Sequence, residues 1–177
     1  VCFGSVITAN SPATRGENPT SWESILWHEF CHVVTLNKTD NKMPRWLSEG
    51  ISVYEERQAD ANWGQSMTPS NRAMILGGEL TPVSKLSGAF LHAPSSNHLQ
   101  FAYYESSLFV QFQVERHGLD TLKRILDDLR VGMSINDALT RYTGAVEKLD
   151  EEFAAYATDL AKKYSPDVDW TSPDLTR

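Results

Sequence analysis

Cysteine is scarce in this chain of 177 residues: only Cys2 and Cys31 are present. Two cannot make a disulfide framework, so a packed core rather than cross-links must hold the fold. Cys31 reads as a small apolar residue on the buried side of a helix. No apolar run approaches the roughly 20 residues that a membrane-spanning helix needs, and no membrane insertion is expected. No cluster of Lys and Arg stands out and the formal net charge is −7, which argues against nucleic acid as a partner. Repeats and low-complexity stretches are missing too. What remains is an ordinary composition, 41% hydrophobic and 22% charged, expected to form one domain over residues 1–177 with 165–177 as a polar tail. The first residue is Val1 rather than Met and no signal peptide is visible. That fits a processed form or a piece of a longer chain, an extracytoplasmic or secreted one included, so neither compartment nor oligomeric state is assigned.

Regular structure is expected to be mostly helical. Val1 to Thr8 is a short β-like run, and residues 9–20 are a polar loop. Thr20 and Glu23 have capping-box spacing, so a helix should start there and run through Ile25, Leu26, Val33 and Val34. Asn37 to Asn41 is a loop. Pro44 is expected at the first position of a second helix carrying Trp46, Leu47, Ile51, Val53 and Tyr54. Gly50 inside it would let another helix or a ligand come close. Residues 58–99 read as a long, weakly periodic cleft wall or lid, with short helical turns at Arg72–Leu76 and Val83–Leu86. A helix from Leu99 ends at Gly118. Another spans Leu119 to Arg130, with Leu122, Ile125, Leu126 and Leu129 on one stripe. Ser134 and Asp137 cap a third that ends near Gly144, and a last helix covers Val146 to Tyr164.

Inside the first helix, His28-Glu29-Phe30-Cys31-His32 spells H-E-x-x-H. Residues four apart share a helix face. Two imidazoles so placed can hold one zinc ion, with the glutamate facing the same cleft. Zinc lowers the pKa of its bound water from about 15.7 to roughly 7, and a nearby carboxylate can take the proton as the water attacks a carbonyl. The chemistry indicated is metal-assisted hydrolysis, of a peptide bond above all. Catalytic zinc wants three protein ligands and one open position. The pattern with a third His six residues on is excluded, because position 38 is Lys and position 35 is Thr. Sixteen residues lie between His32 and Glu49, which sits in Pro44-Arg45-Trp46-Leu47-Ser48-Glu49-Gly50. Antiparallel packing of the two helices would bring that carboxylate to the metal.

H-E-x-x-H followed by Trp46-Leu47-Ser48-Glu49-Gly50-Ile51-Ser52-Val53-Tyr54-Glu55-Glu56 resembles the gluzincin metallopeptidases, most closely their aminopeptidase-N-like and peptidase MA-like branches. Those carry a helix of the type W-L-N-E-G-x-A-x-Y, whose Glu is the third zinc ligand. The resemblance therefore implies Glu49 in that role, with Tyr54 matching the motif's tyrosine and Ser48 replacing the commoner Asn. A later tyrosine of the family, in the pattern Y-x-x-small-x-Leu, donates to the oxyanion. Tyr103 with Ser106 and Leu108 fits it, and Tyr104-Glu105, similar to the Y-E dipeptide of the aminopeptidases, is the substitute. The Gly-x-Met-Glu-Asn element that reads a free amino terminus is missing. Gly4-Ser5-Val6-Ile7, the candidate edge strand beside the site, lacks its acidic residue.

The resemblance implies an α+β, zincin-like (thermolysin-like) metallopeptidase domain, mostly helical with a small N-terminal sheet. It implies one Zn2+ per chain held by His28, His32 and Glu49, Glu29 as general base, and Tyr103 or Tyr104 at the oxyanion. The partner would be a peptide or protein substrate, cut internally rather than trimmed, with its backbone paired to the strand near residues 3–8. Two alternatives stand beside this: a catalytically inactive module that binds peptides or partner domains, and a zinc hydrolase acting on a non-peptide bond. Glu55, Glu56 and, less well, Ser52 are candidates to orient a zinc histidine. His92 and His98 are expected to be solvated, and His117 to sit at a helix C-terminus. Trp22, Trp27 and Trp46 are expected to pack.

Overall fold

Ser21 supplies the oxygen that starts the first long helix. Its Oγ accepts the backbone N–H of Ser24 at 3.3 Å, and α1 runs over Trp22–Lys38. The cap thus falls at Ser21, one residue after Thr20, which lies outside the described residues; Ser21 satisfies one of the first-turn N–H groups that has no partner within the helix. The computed structural model describes residues 2–3, 6–8 and 21–170. Among them, α2 (Arg45–Ala59) follows α1 through a tight turn in which Asp40 and Asn41 adopt left-handed backbone, φ 52° and 58°. Asp and Asn are the side-chain-bearing residues that tolerate this region best. Pro44 is the N-cap of α2 rather than its first helical residue, since its ψ of 151° is extended.

Contacts between α1 and α2 run in opposite chain order. Ser24 meets Glu56 at one end and His32 meets Ser48 at the other, so the pair is antiparallel. The 58–99 stretch is more ordered than its weak periodicity implies. Thr68 caps α3 (Pro69–Leu76), a 3-10 turn covers Val83–Lys85, and α4 is Leu86–Ala89. Met74, Ile75, Val83, Leu86 and Phe90 of this stretch are buried in the core.

The central element is α5 (Ser96–His117), capped by Ser95 and therefore three residues longer at its start than apolar spacing indicates. It buries Phe101, Tyr104, Leu108, Phe109 and Phe112. Phe109 stacks edge-on against Trp46 of α2, 5.5 Å between rings, and against Phe153, 5.2 Å. Gly118, at φ 82°, turns the chain into α6 (Leu119–Arg130); α7 (Ile135–Thr143) and α8 (Val146–Lys163) complete the layer around α5.

Among the described residues the strand content is one small antiparallel pair, β1 (Cys2–Phe3) with β2 (Val6–Ile7), packed on α1. Trp22 and Trp27 depart from expectation. Trp46 is a packing residue at 1% exposure, but Trp22 and Trp27 are 51% and 46% exposed. Together with Leu26, Phe30 and Val34 they form the face of α1 opposite α2, bordered among the described residues by Ile7 and Trp63.

The tightest constraint on this packing is Gly50. A Cβ there would lie 2.7 Å from the Ser106 carbonyl oxygen and 2.9 Å from its carbon. On an exposed helix, Gly→Ala gains about 1 kcal/mol. Here the clash is with backbone, and overpacking of that kind costs about 1–3 kcal/mol. Gly50→Ala is therefore expected to melt at a lower temperature than the wild type. A variant of equal or greater stability in thermal unfolding would mean that the α2–α5 contact yields.

Candidate metal centre

One face of α1 and one of α2 bring three ligand-type atoms together. His28 Nε2 lies 3.1 Å from His32 Nε2, and Glu49 Oε2 lies 3.2 Å from the first and 3.3 Å from the second. Ligands held at about 2.0–2.2 Å around a tetrahedral ion stand about 3.3–3.6 Å apart, so three atoms converging this closely are within a few tenths of an ångström of the spacing one small ion with N and O donors sets. Among the described residues this is the group of His, Cys, Asp and Glu side chains close enough to share a metal. All three are half-buried.

The other ring nitrogens are anchored from α2. His28 Nδ1 is 2.6 Å from Glu56 Oε1, and the second oxygen of that buried carboxylate accepts Ser24 Oγ–H at 2.6 Å. His32 Nδ1 lies 2.8 Å from Ser48 Oγ and 3.3 Å from Ser52 Oγ. A carboxylate at Nδ1 keeps a proton there, so in the neutral ring the lone pair is on Nε2, facing the centre of the site. Ser48, Ser52 and Glu56 recur every fourth residue on α2, and that periodicity beside Glu49 is the sequence signal for these anchors. Of the adjacent pair Glu55-Glu56, it is Glu56 that faces the ring. Ser48, legible in the sequence only as a replacement for Asn, has a partner of its own.

The electrostatics follow from the burial. Desolvation opposes charge on His28, but hydrogen bonds to Glu49 and Glu56 outweigh it and push its pKa up to about 9. Burial likewise works against ionised Glu49, yet the two imidazoles bring it down to about 2. The site is thus poised to hold positive charge.

A cavity of about 540 Å³ opens over the three atoms, lined also by Glu29, Arg45 and Tyr103. A second, of about 300 Å³, lies against Ser24, Ile25, Gly64 and Gln65. His28, Glu29 and Tyr103 border both, so Glu29 stands where the two meet. Residues 64 and 65 are the part of the 58–99 stretch that forms a wall here.

The two tyrosines part company. Consecutive helical residues point about 100° apart. Tyr103 turns its hydroxyl to the cavity, where it accepts Arg45 Nη2–H at 3.2 Å. Tyr104 is buried in the core, where its hydroxyl donates to Met67 Sδ at 3.6 Å and burial pushes its pKa up to about 12. It lines neither cavity. Of the Gly4–Ile7 segment, residues 4 and 5 lie outside the described residues, and Ile7 borders the outer face of α1 rather than the site. His92 and His98 border a separate cavity, where His98 Nε2 is 3.1 Å from Glu79 Oε2. His117 is the last residue of α5.

A family model described as the Peptidase MA superfamily matches residues 11–159. No curated protein and no solved structure matches the chain.

The raised pKa of His28 has a measurable consequence. Below about pH 9 its ring carries a second proton that a metal, which takes the neutral ring, must displace. Adding a divalent ion to metal-free chain near neutral pH should release about one proton per chain, with apparent affinity rising about tenfold per pH unit and levelling off above about pH 9. Calorimetry in buffers of different ionisation enthalpy reads this directly. Uptake without proton release would contradict it.

Proposed function

The chain belongs to the Peptidase MA superfamily, and on that premise we propose that it is a zinc-dependent peptidase of the gluzincin type. The observation that carries the reading is the convergence of His28, His32 and Glu49 within 4.8 Å, beside Glu29 and under one cavity. These three side chains would hold the ion. Zinc in such a site polarises a scissile carbonyl and makes water acidic enough to deprotonate near neutral pH.

The remaining steps belong to the chain's own residues. Glu29, at the junction of the two cavities, takes a proton from the attacking water and returns it to the leaving nitrogen. The phenol of Tyr103 donates a hydrogen bond to the developing oxyanion. Glu56 keeps the His28 ring in the tautomer that a ligand needs, and Ser48 and Ser52 hold the orientation of the His32 ring. Cavities on both sides of Glu29 suit a backbone that extends past the cleaved bond in both directions.

That arrangement favours an endopeptidase over an aminopeptidase. Among the described residues, the carboxylates lining the two cavities are Glu29, Glu49 and Glu56. Each has a role in the mechanism, and none is left to receive a substrate's terminal ammonium. Arg45 at the lip would repel one. The likeness to the aminopeptidase-N-like branch is then one of metal helices rather than of substrate end recognition.

Glu29→Gln should keep its zinc and lose about 10²–10⁴ in kcat on an internally quenched peptide. Tyr103→Phe should lose about 10²–10³, while Tyr104→Phe, away from the cavity, should not. Wild type should prefer that blocked peptide to an aminoacyl amide. Cleavage that survives in Glu29→Gln would overturn the assignment of the base, and zinc-loaded wild type without hydrolysis would favour the inactive binding module.

A further inference from the structure

Arg45 stands at the first turn of α2 and touches both halves of the site. Its Nε donates to Glu49 Oε1 at 3.3 Å, one helical turn along, while Glu49 Oε2 faces the imidazoles. Its Nη2 donates to the Tyr103 hydroxyl oxygen at 3.2 Å. The guanidinium lies over the ring of Phe90, 5.1 Å from its centroid, and Phe90 meets the Tyr103 ring edge-on at 5.0 Å. Phe90 is buried, so it gives the guanidinium a fixed plane.

We propose that Arg45 is a positioning residue that orients Glu49 and Tyr103 together. The proposal rests on the reading above of Glu49 as a metal ligand and Tyr103 as the oxyanion donor. A carboxylate has two equivalent oxygens and can turn about its last bond. An N–H held on Oε1 leaves Oε2 as the oxygen presented to the two rings. A phenol has one proton and two lone pairs. An N–H received on a lone pair directs that proton elsewhere, here toward the cavity. Making both contacts at once needs two donors in one rigid plane, which a guanidinium has and an ammonium lacks. The Arg45 side chain is 54% exposed, so its ion pair contributes little to stability and its removal should leave the melting temperature near that of wild type.

The test compares wild type, Arg45→Gln, Arg45→Lys, Tyr103→Phe and the Arg45→Gln/Tyr103→Phe pair, with zinc as the probe. Zinc affinity, read by chelator competition without turnover, should fall about 10–100-fold in Arg45→Gln and stay unchanged in Tyr103→Phe. At saturating zinc, kcat on a quenched peptide should fall about tenfold or more in Arg45→Gln with KM little altered. The same change should add no further loss once Tyr103 is Phe. Arg45→Lys should recover part of the affinity and none of the kcat. Wild-type zinc affinity in Arg45→Gln, or kcat losses that multiply in the double variant, would overturn the proposal. A chain that binds zinc and cleaves nothing contradicts the peptidase reading alone, and the affinities then decide about Arg45. A chain that takes up no zinc removes both.

Discussion

Because α1 and α2 pack antiparallel, each turn of one helix meets a fixed turn of the other, and the site exists only in that register. Ser24 reaches Glu56, His28 lies between Glu56 and Glu49, and His32 meets Ser48 and Ser52. A slip of one turn, about 5.4 Å, would carry Glu49 past both rings and strip each Nδ1 of its partner. The turn that sets the register is short and uses Asp40 and Asn41 in left-handed backbone. The same contacts fix the charge of the cluster. Two carboxylates favour a cation between them, and His28 holds its proton well above the ordinary histidine range until something else supplies the charge.

Gly50 extends this constraint to α5. Contacts from Arg45–Tyr103 through Gly50–Ser106 to Arg57–Gln111 run in the same chain order, so α2 and α5 are parallel and close. The missing side chain at position 50 brings the α5 backbone near enough for Tyr103 to reach over the cavity. The rest of α5 is anchored in the aromatic core around Phe109 and Phe153, which gives the tyrosine a rigid base.

The two helices that carry the candidate site are legible in the sequence because their chemistry is periodic. His28, His32 and the run around Glu49 obey helical spacing, and the structure brings their atoms together. The caps at Ser134 and Gly118 are equally local and fall where the sequence puts them. What local pattern leaves open is which way an unrepeated side chain turns. Tyr103 and Tyr104 are chemically alike, and only the packing of α5 sends one to the cavity and the other to Met67. Arg45 is equally silent in sequence, since its partners lie on a helix 58 positions away as well as on its own. Thr68-Pro69 is a readable start for α3 that the weak periodicity of the surrounding stretch conceals. Trp22 and Trp27 show the converse, large apolar residues in a helical stripe whose described surroundings leave them half exposed.

The proposed activity depends on one ion shared by two imidazoles and a carboxylate from separate helices. Anomalous diffraction at the zinc edge from crystals of the zinc-loaded chain tests this most directly. It should give a single peak per chain at about 2.0–2.2 Å from His28 Nε2, His32 Nε2 and Glu49 Oε2. A peak that leaves Glu49 uncoordinated, or lies away from both rings, would contradict the account.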